Sequence, residues 1–510
     1  MNKSASSLPF LFLLVLYIIF QAFVVSEDYI SANHEGKKLA QIYCGVCHKL
    51  PLPNELDKKT WKEYILPRMK KMMGVDTIIA DDDFFDNKYI REIKNRGVFM
   101  NFSDLPLSSW QAIENYYVQK APEELHAKNI QEEIPMTKVF SAEYPSIYSS
   151  PPSTSMIRVD KGQVWWGDIH SKTLYILNSS YDIISSIKNP IEGLVDVDDY
   201  ESGKIMVYMG SFSPTDDASG AIYFDDIKNN HKLSPLITEL RRPVHAQVED
   251  INGDGKDDII ISEFGKWLGQ LSLYINQGQN TFVKNVLSTK PGSICSEVAD
   301  MNNDGLLDIL GLFAQGDEHL SVFYQNKDGS FTEERLLEFS PTFGSSGFIL
   351  TDFNKDNRPD ILYFNGDLAD FPMKAKPYQG LRIYLNRAHN KFELTDFLPA
   401  SGVYQANAFD FDMDGDIDIF CNSFFPNQNY PKVAGLYYFE NINGKYHKRT
   451  LPSENKGRWM LSSIGDLDND GDIDIVVGNL IMELPEHETQ IKTWVSDGLP
   501  FLILRNNTIN

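Results

Sequence analysis

Asp250-Ile251-Asn252-Gly253-Asp254-Gly255-Lys256-Asp257-Asp258 runs straight into Ile259-Ile260-Ile261, and that junction decides the fold. Oxygen-bearing side chains stand at positions 1, 3, 5 and 9 of the loop, with glycine at position 6 where the chain must turn sharply. The pattern returns as Asp300, Asn302, Asp304, Asp308; as Asp352, Asn354, Asp356, Asp360; as Asp410, Asp412, Asp414, Asp418; and as Asp466, Asp468, Asp470, Asp474. Asn357 replaces the position-6 glycine in the third loop, and Asn tolerates the left-handed conformation better than other side chains. Hard oxygen ligands in a tight turn suit Ca²⁺, giving about five sites. An EF-hand would need Glu at position 12, where Ile261, Gly311, Tyr363, Cys421 and Val477 stand instead. Each loop leads into a β run, so it joins two strands and not two helices. The loops start at intervals of 50, 52, 58 and 56 residues, a period that means a propeller or another solenoid.

These five loops resemble the FG-GAP (VCBS) repeat, and the resemblance covers roughly residues 140 to 507. It implies a β-propeller with Ca²⁺ held in the hairpin between the first two strands of a blade. Val195-Asp196-Val197-Asp198-Asp199-Tyr200 has the character of a degenerate blade with a weak or absent metal site. Ile157 to Asp160, Val164-Trp165-Trp166 and Leu174 to Leu177 supply one more. The total is seven. The last blade has Phe501-Leu502-Ile503-Leu504 as its third strand, so the strand around Val139-Phe140 is expected to supply the fourth and close the ring.

Strands of a blade alternate in direction. If one face holds the Asp loops, the loops after each second strand and before each first strand reach the other. Arg242, His245, Glu263, Asp317 and Asp367 fall in those loops and are the candidate funnel site, a base, a cation and carboxylates able to orient a polyol. Lys374, Lys376 and Tyr378 sit in a long loop expected to reach over the mouth.

Ahead of the repeats the pattern is helical. Residues 34–43, 58–73 and 107–119 carry apolar stripes, the second interrupted by Pro67 and the third (Trp110, Ile113, Tyr116, Tyr117) ended by Pro122. Between the first two lies Cys44-Gly45-Val46-Cys47-His48, the C-x-x-C-H attachment motif of c-type haem. Cys44 and Cys47 would form the thioethers and His48 would ligate the iron. Zinc would need a second ligand pair. Three helices around this motif resemble a class I cytochrome c. Trp61 to Met69 also resembles the W…LP-x-M segment of haem domains fused to repeat propellers, which implies Met69 as sixth ligand, with Met100 as the alternative.

The expected architecture is therefore multidomain. A signal peptide (1–26, with Lys3 ahead of the apolar run Leu8 to Val25) precedes a small all-α cytochrome c domain (27–125). A linker (126–136) then leads to an all-β seven-bladed propeller (137–510). The net charge of −24 argues against nucleic acid as a partner. A membrane enters only if the N-terminal segment is retained. Cys295 and Cys421 read as buried free thiols.

The combination resembles exported proteins of the periplasm or envelope of Gram-negative bacteria. It implies haem-based electron transfer to a redox partner, with a propeller that binds a partner or glycan. Two alternatives stay open: oxidation of a sugar or alcohol at the funnel with electrons passed to the haem, and a calcium-dependent adhesion or sensor module. Neither a G-x-G-x-x-G fingerprint in a strand-to-helix context nor tryptophan-rich quinoprotein docking motifs support the enzyme.

Overall fold

The computed structural model describes residues 34–75, 88–98, 105–125, 134–369, 375–425, 435–481 and 489–509. The N-terminal 1–26 segment, Met100, Lys374 and most of the expected linker lie outside them. The chain divides into two compact units: Met1–Asp83 with Phe99–Leu125, and Phe84–Val98 with His126–Asn510.

The small unit is helical. Residues 34–43 form one helix, Lys58 to Met72 a second, and Leu107–Lys120 a third. Asp57 caps the second helix by accepting from Thr60 N (3.0 Å). Pro67 does not interrupt this helix as the sequence suggests. Trp61–Ile65 widens to a π turn, with the Leu66 N–H bonded to the Trp61 carbonyl, so the ring meets no clashing carbonyl one turn back. The core is aromatic: Trp61 and Tyr117 lie 4.4 Å apart, and each donates to a backbone carbonyl, of Pro53 and Pro51 respectively. At Gly36 a Cβ would lie 2.3 Å from the Ala112 carbonyl oxygen, so the first and third helices cross at backbone contact.

The second unit is a seven-bladed propeller: the described strands form seven four-stranded antiparallel sheets. First strands lie innermost, at Thr154–Asp160, Leu194–Tyr200, Pro243–Glu249, Ser293–Ala299, Ser345–Thr351, Val403–Phe409 and Trp459–Gly465. Second strands are sandwiched between neighbouring blades. In Asp258–Glu263 every residue is buried, as a strand covered on both faces must be, whereas the fourth strand Thr281–Ser288 is largely exposed. Neighbouring innermost strands are stitched by side chains reaching the next backbone: Asp196 accepts from Ala246 N (3.1 Å), and Gln405 exchanges two bonds with Ser462.

Blade seven closes the ring as expected. Phe140–Glu143 pairs antiparallel with Phe501–Asn506, Phe140 opposite Asn506. The Phe140 ring meets Phe411 and Tyr438 edge-on, each at 5.6 Å.

One part of the expected 27–125 domain groups elsewhere. The segment Phe84–Val98 belongs with the propeller, because its helix Ile90–Asn95 is tied there by charge. Arg241 grips Glu92 with both terminal nitrogens (2.7 and 2.9 Å), and Arg96 donates to the Leu268 carbonyl (3.2 Å). Lys88 and Tyr89 both donate to Asp217 (2.8 and 2.6 Å).

Candidate functional site

On one face of the propeller the Asp loops join first to second strands. The turn is written by their own side chains. In the first loop Asp250 accepts from Asp254 N (3.0 Å) and Gly255 N (2.7 Å), and Asn252 from Asp254 N (2.9 Å). Position 6 is left-handed throughout, Asn357 included (φ 62°). Asp410, Asp412 and Asp414 bring carboxylate oxygens within 4.8 Å of one another, as do Asp466, Asp468 and Asp470. Asp410 Oδ1 and Asp466 Oδ1 are buried with no hydrogen-bond partner, which fits an oxygen-ligated cation at these two loops. The position-9 carboxylates do different work. Asp258, Asp308, Asp360, Asp418 and Asp474 are fully buried and each accepts a third-strand amide, those of Asn276, Gln325, Asn386, Asn441 and Asn506. Burial pushes Asp418 up to about 7 and Asp474 to about 6. These residues pin the hairpin whether or not they reach a metal.

Blades one and two lack the loop, and a side-chain cation stands at the corresponding end. Lys204 is 1% exposed, with Nζ 3.0 Å from Asp160 and 2.7 Å from Asp199, above the Trp165 ring.

The opposite face opens into a cavity of about 1230 Å³. Its lining shows a regularity that sequence reasoning missed. Every first strand carries a β-bulge one residue from its start. The bulged residues Ser155, Val195, Val244, Ile294, Ser346, Tyr404 and Met460 all line the cavity, one per blade. A bulge re-aims its side chain, and here seven of them form a collar. The signal was in the sequence: in the five regular repeats the bulge lies six residues before the first Asp of the loop.

Of the expected funnel residues, Arg242, His245 and Asp367 line this cavity. Glu263 does not. Its carboxylate is buried within blade three, accepting from Arg241 N (2.7 Å) and Gln270 Nε2 (2.6 Å). Asp317 is also turned away, held by Lys290 (2.8 Å) and Arg335 (2.6 Å), whose charges draw its carboxyl below the usual range despite burial. The alternation of a strand end does not reveal which way a loop carboxylate turns; the donors around it decided both cases, amide N–H groups at Glu263 and cations at Asp317. Lys376 and Tyr378 do not reach over the mouth: Lys376 donates to the Thr342 carbonyl (2.5 Å) and Tyr378 stacks on Phe343. His245 Nδ1 accepts a long bond from Ser296 N (3.4 Å). The wall also includes Glu297, Glu318, Arg458 and Trp494. Trp494 comes from the helix Thr489–Asp497, inserted between the second and third strands of blade seven and also unforeseen, although Ile491, Trp494 and Val495 have helical spacing.

In the small unit, Cys44, Cys47 and His48 form the turn after the first helix. Burial and the neighbouring Cys47 raise the Cys44 thiol to about 12. His48 Nδ1 bonds the Lys49 carbonyl (2.9 Å), so the neutral ring keeps its lone pair on Nε2, the tautomer a metal needs. Met69 is half-buried on the second helix. Ile42, Val46, Leu52 and Leu107 each leave 50% or more of their surface exposed. Two thiols, an imidazole acceptor and uncovered apolar side chains in one small unit fit a covalently attached macrocycle.

Fold and loops together define a seven-bladed propeller of Asp-loop repeats with an N-terminal helical unit. The chain carries FG-GAP-like repeats, matched at residues 250–311, 300–363 and 410–477. It is similar to a T-cell immunomodulatory protein homolog of Plasmodium yoelii yoelii, 23% identical over 341 residues, 60% of this chain and 46% of that protein. The chain thus spans about half the length of this curated relative. Among solved structures, Saccharomyces cerevisiae Sqt1 aligns over 72% of this chain and all of its own at 10% identity (TM-score 0.43). BBS1N, solved in complex with ARL6DN, aligns over 73% of this chain and 98% of its own at 10% identity (TM-score 0.45). Among the described residues no helix is long and apolar enough to cross a membrane.

Proposed function

We propose that this is an exported electron-transfer protein in which a c-type haem unit is joined to a calcium-stiffened propeller that binds its ligand in the funnel. The cavity collared by seven bulges, on the face opposite the Asp loops, is the observation that carries the binding reading. Ca²⁺ would be held by positions 1, 3 and 5 of the five loops and would tie hairpins that each gather several oxygen-bearing side chains. Haem c would be attached through Cys44 and Cys47, with His48 and Met69 (or Met100) as the residues that would ligate its iron. The bound haem supplies one-electron chemistry. The protein's own contribution would be to orient the imidazole through the Lys49 carbonyl and to offer the exposed apolar side chains Ile42, Val46, Leu52 and Leu107 as cover for the ring.

The enzyme alternative rests on His245 and Glu297, which line the cavity from neighbouring innermost strands, with Arg242 nearby. It lacks a second redox centre to split a two-electron oxidation. The adhesion alternative draws on the similarity to a protein named for its action on T cells.

One experiment separates these readings. The full chain is produced with a c-type maturation system, and its visible spectrum is recorded with calcium. Electron transfer requires a reducible low-spin spectrum that Cys44→Ser with Cys47→Ser abolishes. Reduction by an added sugar or alcohol, lost in His245→Ala, would move the assignment to a dehydrogenase. Absence of any covalent haem from the matured chain would leave the adhesion reading.

A further inference from the structure

Arg242 occupies a position that four other blades give to glycine. Two residues before the bulge, blades two, four, five and six have Gly193, Gly292, Gly344 and Gly402, all left-handed (φ 67° to 80°). Blade three puts Arg242 there, at φ 51°. A bulky side chain in that region is strained by roughly 1–2 kcal/mol, and such strain persists where the surroundings enforce it and gathers at ligand sites.

The side chain's setting is equally uneconomical for folding alone. Arg242 lies over the Phe264 ring (5.1 Å), and one terminal nitrogen donates to the Phe212 carbonyl (3.1 Å). Its Nε–H is buried at the cavity wall with no partner. An unmet guanidinium donor beside an open cavity is a place for a carboxylate, which guanidinium binds through paired N–H bonds. No carboxylate of the cavity bonds that N–H, although Asp367 lies close enough for its charge to act on Arg242. Asp196 accepts from Ala246 N, Glu318 from Ser345 N (2.9 Å), and Asp367 from Ala369 N (2.8 Å).

The remaining wall points to the body of the ligand. Tyr404 and Trp494 offer aromatic surface, Ser346 a hydroxyl, and Glu297 a carboxyl: partners for the flat face and hydroxyls of a sugar ring. Across the funnel, Arg458 repeats the arginine-on-aromatic arrangement at the same place in its blade, 3.9 Å over Phe424. The volume exceeds the usual range of about 300–1,000 Å³ for small-molecule sites, so there is room for several linked rings.

We propose that the funnel binds an acidic oligosaccharide, with Arg242 receiving a sugar carboxylate. The proposal rests on the binding reading of the funnel and names its ligand class.

The test is calorimetric titration of the full, calcium-loaded chain with a trigalacturonate, its uncharged trisaccharide counterpart and a glutamate-rich peptide. The acidic sugar should bind, the uncharged one about tenfold to a hundredfold more weakly, the size of one lost charge-assisted contact. Arg242→Gly should cost the same factor while leaving the melting temperature unchanged or raised, because it relieves strain that four blades avoid. That pairing of lost affinity with retained stability is what a structural arginine would not show. Equal binding of the charged and uncharged sugars, insensitive to Arg242→Gly, would overturn the ligand class and leave funnel binding standing. Binding of the peptide alone, weakened by Arg242→Gly, would replace sugar by protein. No heat with any of the three, together with unaltered solvent protection of the Trp494 fluorescence, would overturn the ligand class and remove support from the funnel reading itself.

Discussion

Replacing Lys204 with methionine is the sharpest test of how blades one and two hold together without an Asp loop. Methionine keeps the apolar stem and removes the charge. Lys204 is buried between Asp160 and Asp199, whose side chains are 15% and 61% exposed. Breaking a buried pair from one side costs about 3–5 kcal/mol, because the orphaned partner stays buried. Here only Asp160 is so trapped. Asp199 can return to water, and its share is discounted for solvent screening. The expected loss is about 2–3 kcal/mol. With an unfolding entropy near 2.1 cal/mol/K per residue over a propeller of this size, the melting temperature should fall by roughly 3 °C. The assay is a calorimetric melt in excess calcium and again in chelator. The drop should be equal in both, since the pair lies in blades without the loop, and Asp160→Asn in the same chain should restore part of it. An unchanged melting temperature would refute the reasoning. So would a double variant in which the two losses simply add, because that would mean the charges do not sense each other.

Three further outcomes are expected. Chelator should lower the propeller's melting temperature, since a ligand at a hundred times its dissociation constant adds about 2.7 kcal/mol per site; hydrogen exchange should then quicken at the Asp410 and Asp466 hairpins and not at the turns after Asp160 and Tyr200. Burial holds the Glu318 carboxyl up at about 7, above its unfolded value of 4.5, so the folded state binds more protons between the two; the contribution of Glu318 to stability should be greatest below about 4.5 and fall as pH climbs to about 7. Glu318→Gln should flatten that slope in pH-resolved denaturant titrations. Glu92→Ala should loosen the 88–98 segment from Arg241 at a cost of about 1 kcal/mol, the size of a half-exposed ion pair, seen as faster proteolysis there with the propeller melt unmoved.

Much of the propeller was legible because its repeats are written in local chemistry. A nine-residue turn with carboxylates at fixed places and a left-handed sixth residue can be read without knowing any distant contact, as can the alternation that exposed the two degenerate blades. The pairing of Phe140 with the last strand followed from counting strands. What escaped reading depends on partners remote in the chain. Glu263 and Asp317 sit in funnel-facing loops, yet Arg241 N, Lys290 and Arg335 turn them inward. The 88–98 segment looks like part of the helical domain until Arg241 and Asp217 are placed beside it. Arg242 is unremarkable as a letter, and only alignment against Gly193, Gly292, Gly344 and Gly402 in the folded ring shows that it stands where the backbone would rather have no side chain. The helical setting of the C-x-x-C-H motif was legible as fold.

The closing sheet of blade seven has a consequence for biosynthesis. Its outer strand is made first and its partner last, 366 residues later, at Asn506. Blades one to six are local meanders and can form in turn as the chain leaves the ribosome. The strand at 140–143, with its buried phenylalanine, must wait as an unpaired edge until almost the whole propeller has been synthesised. The ring therefore cannot become mechanically continuous until the strand at 501–506 has left the ribosome. Chains stalled before that strand should be recognisable to quality control by this unmatched edge, because the pairing of greatest sequence separation waits longest to form.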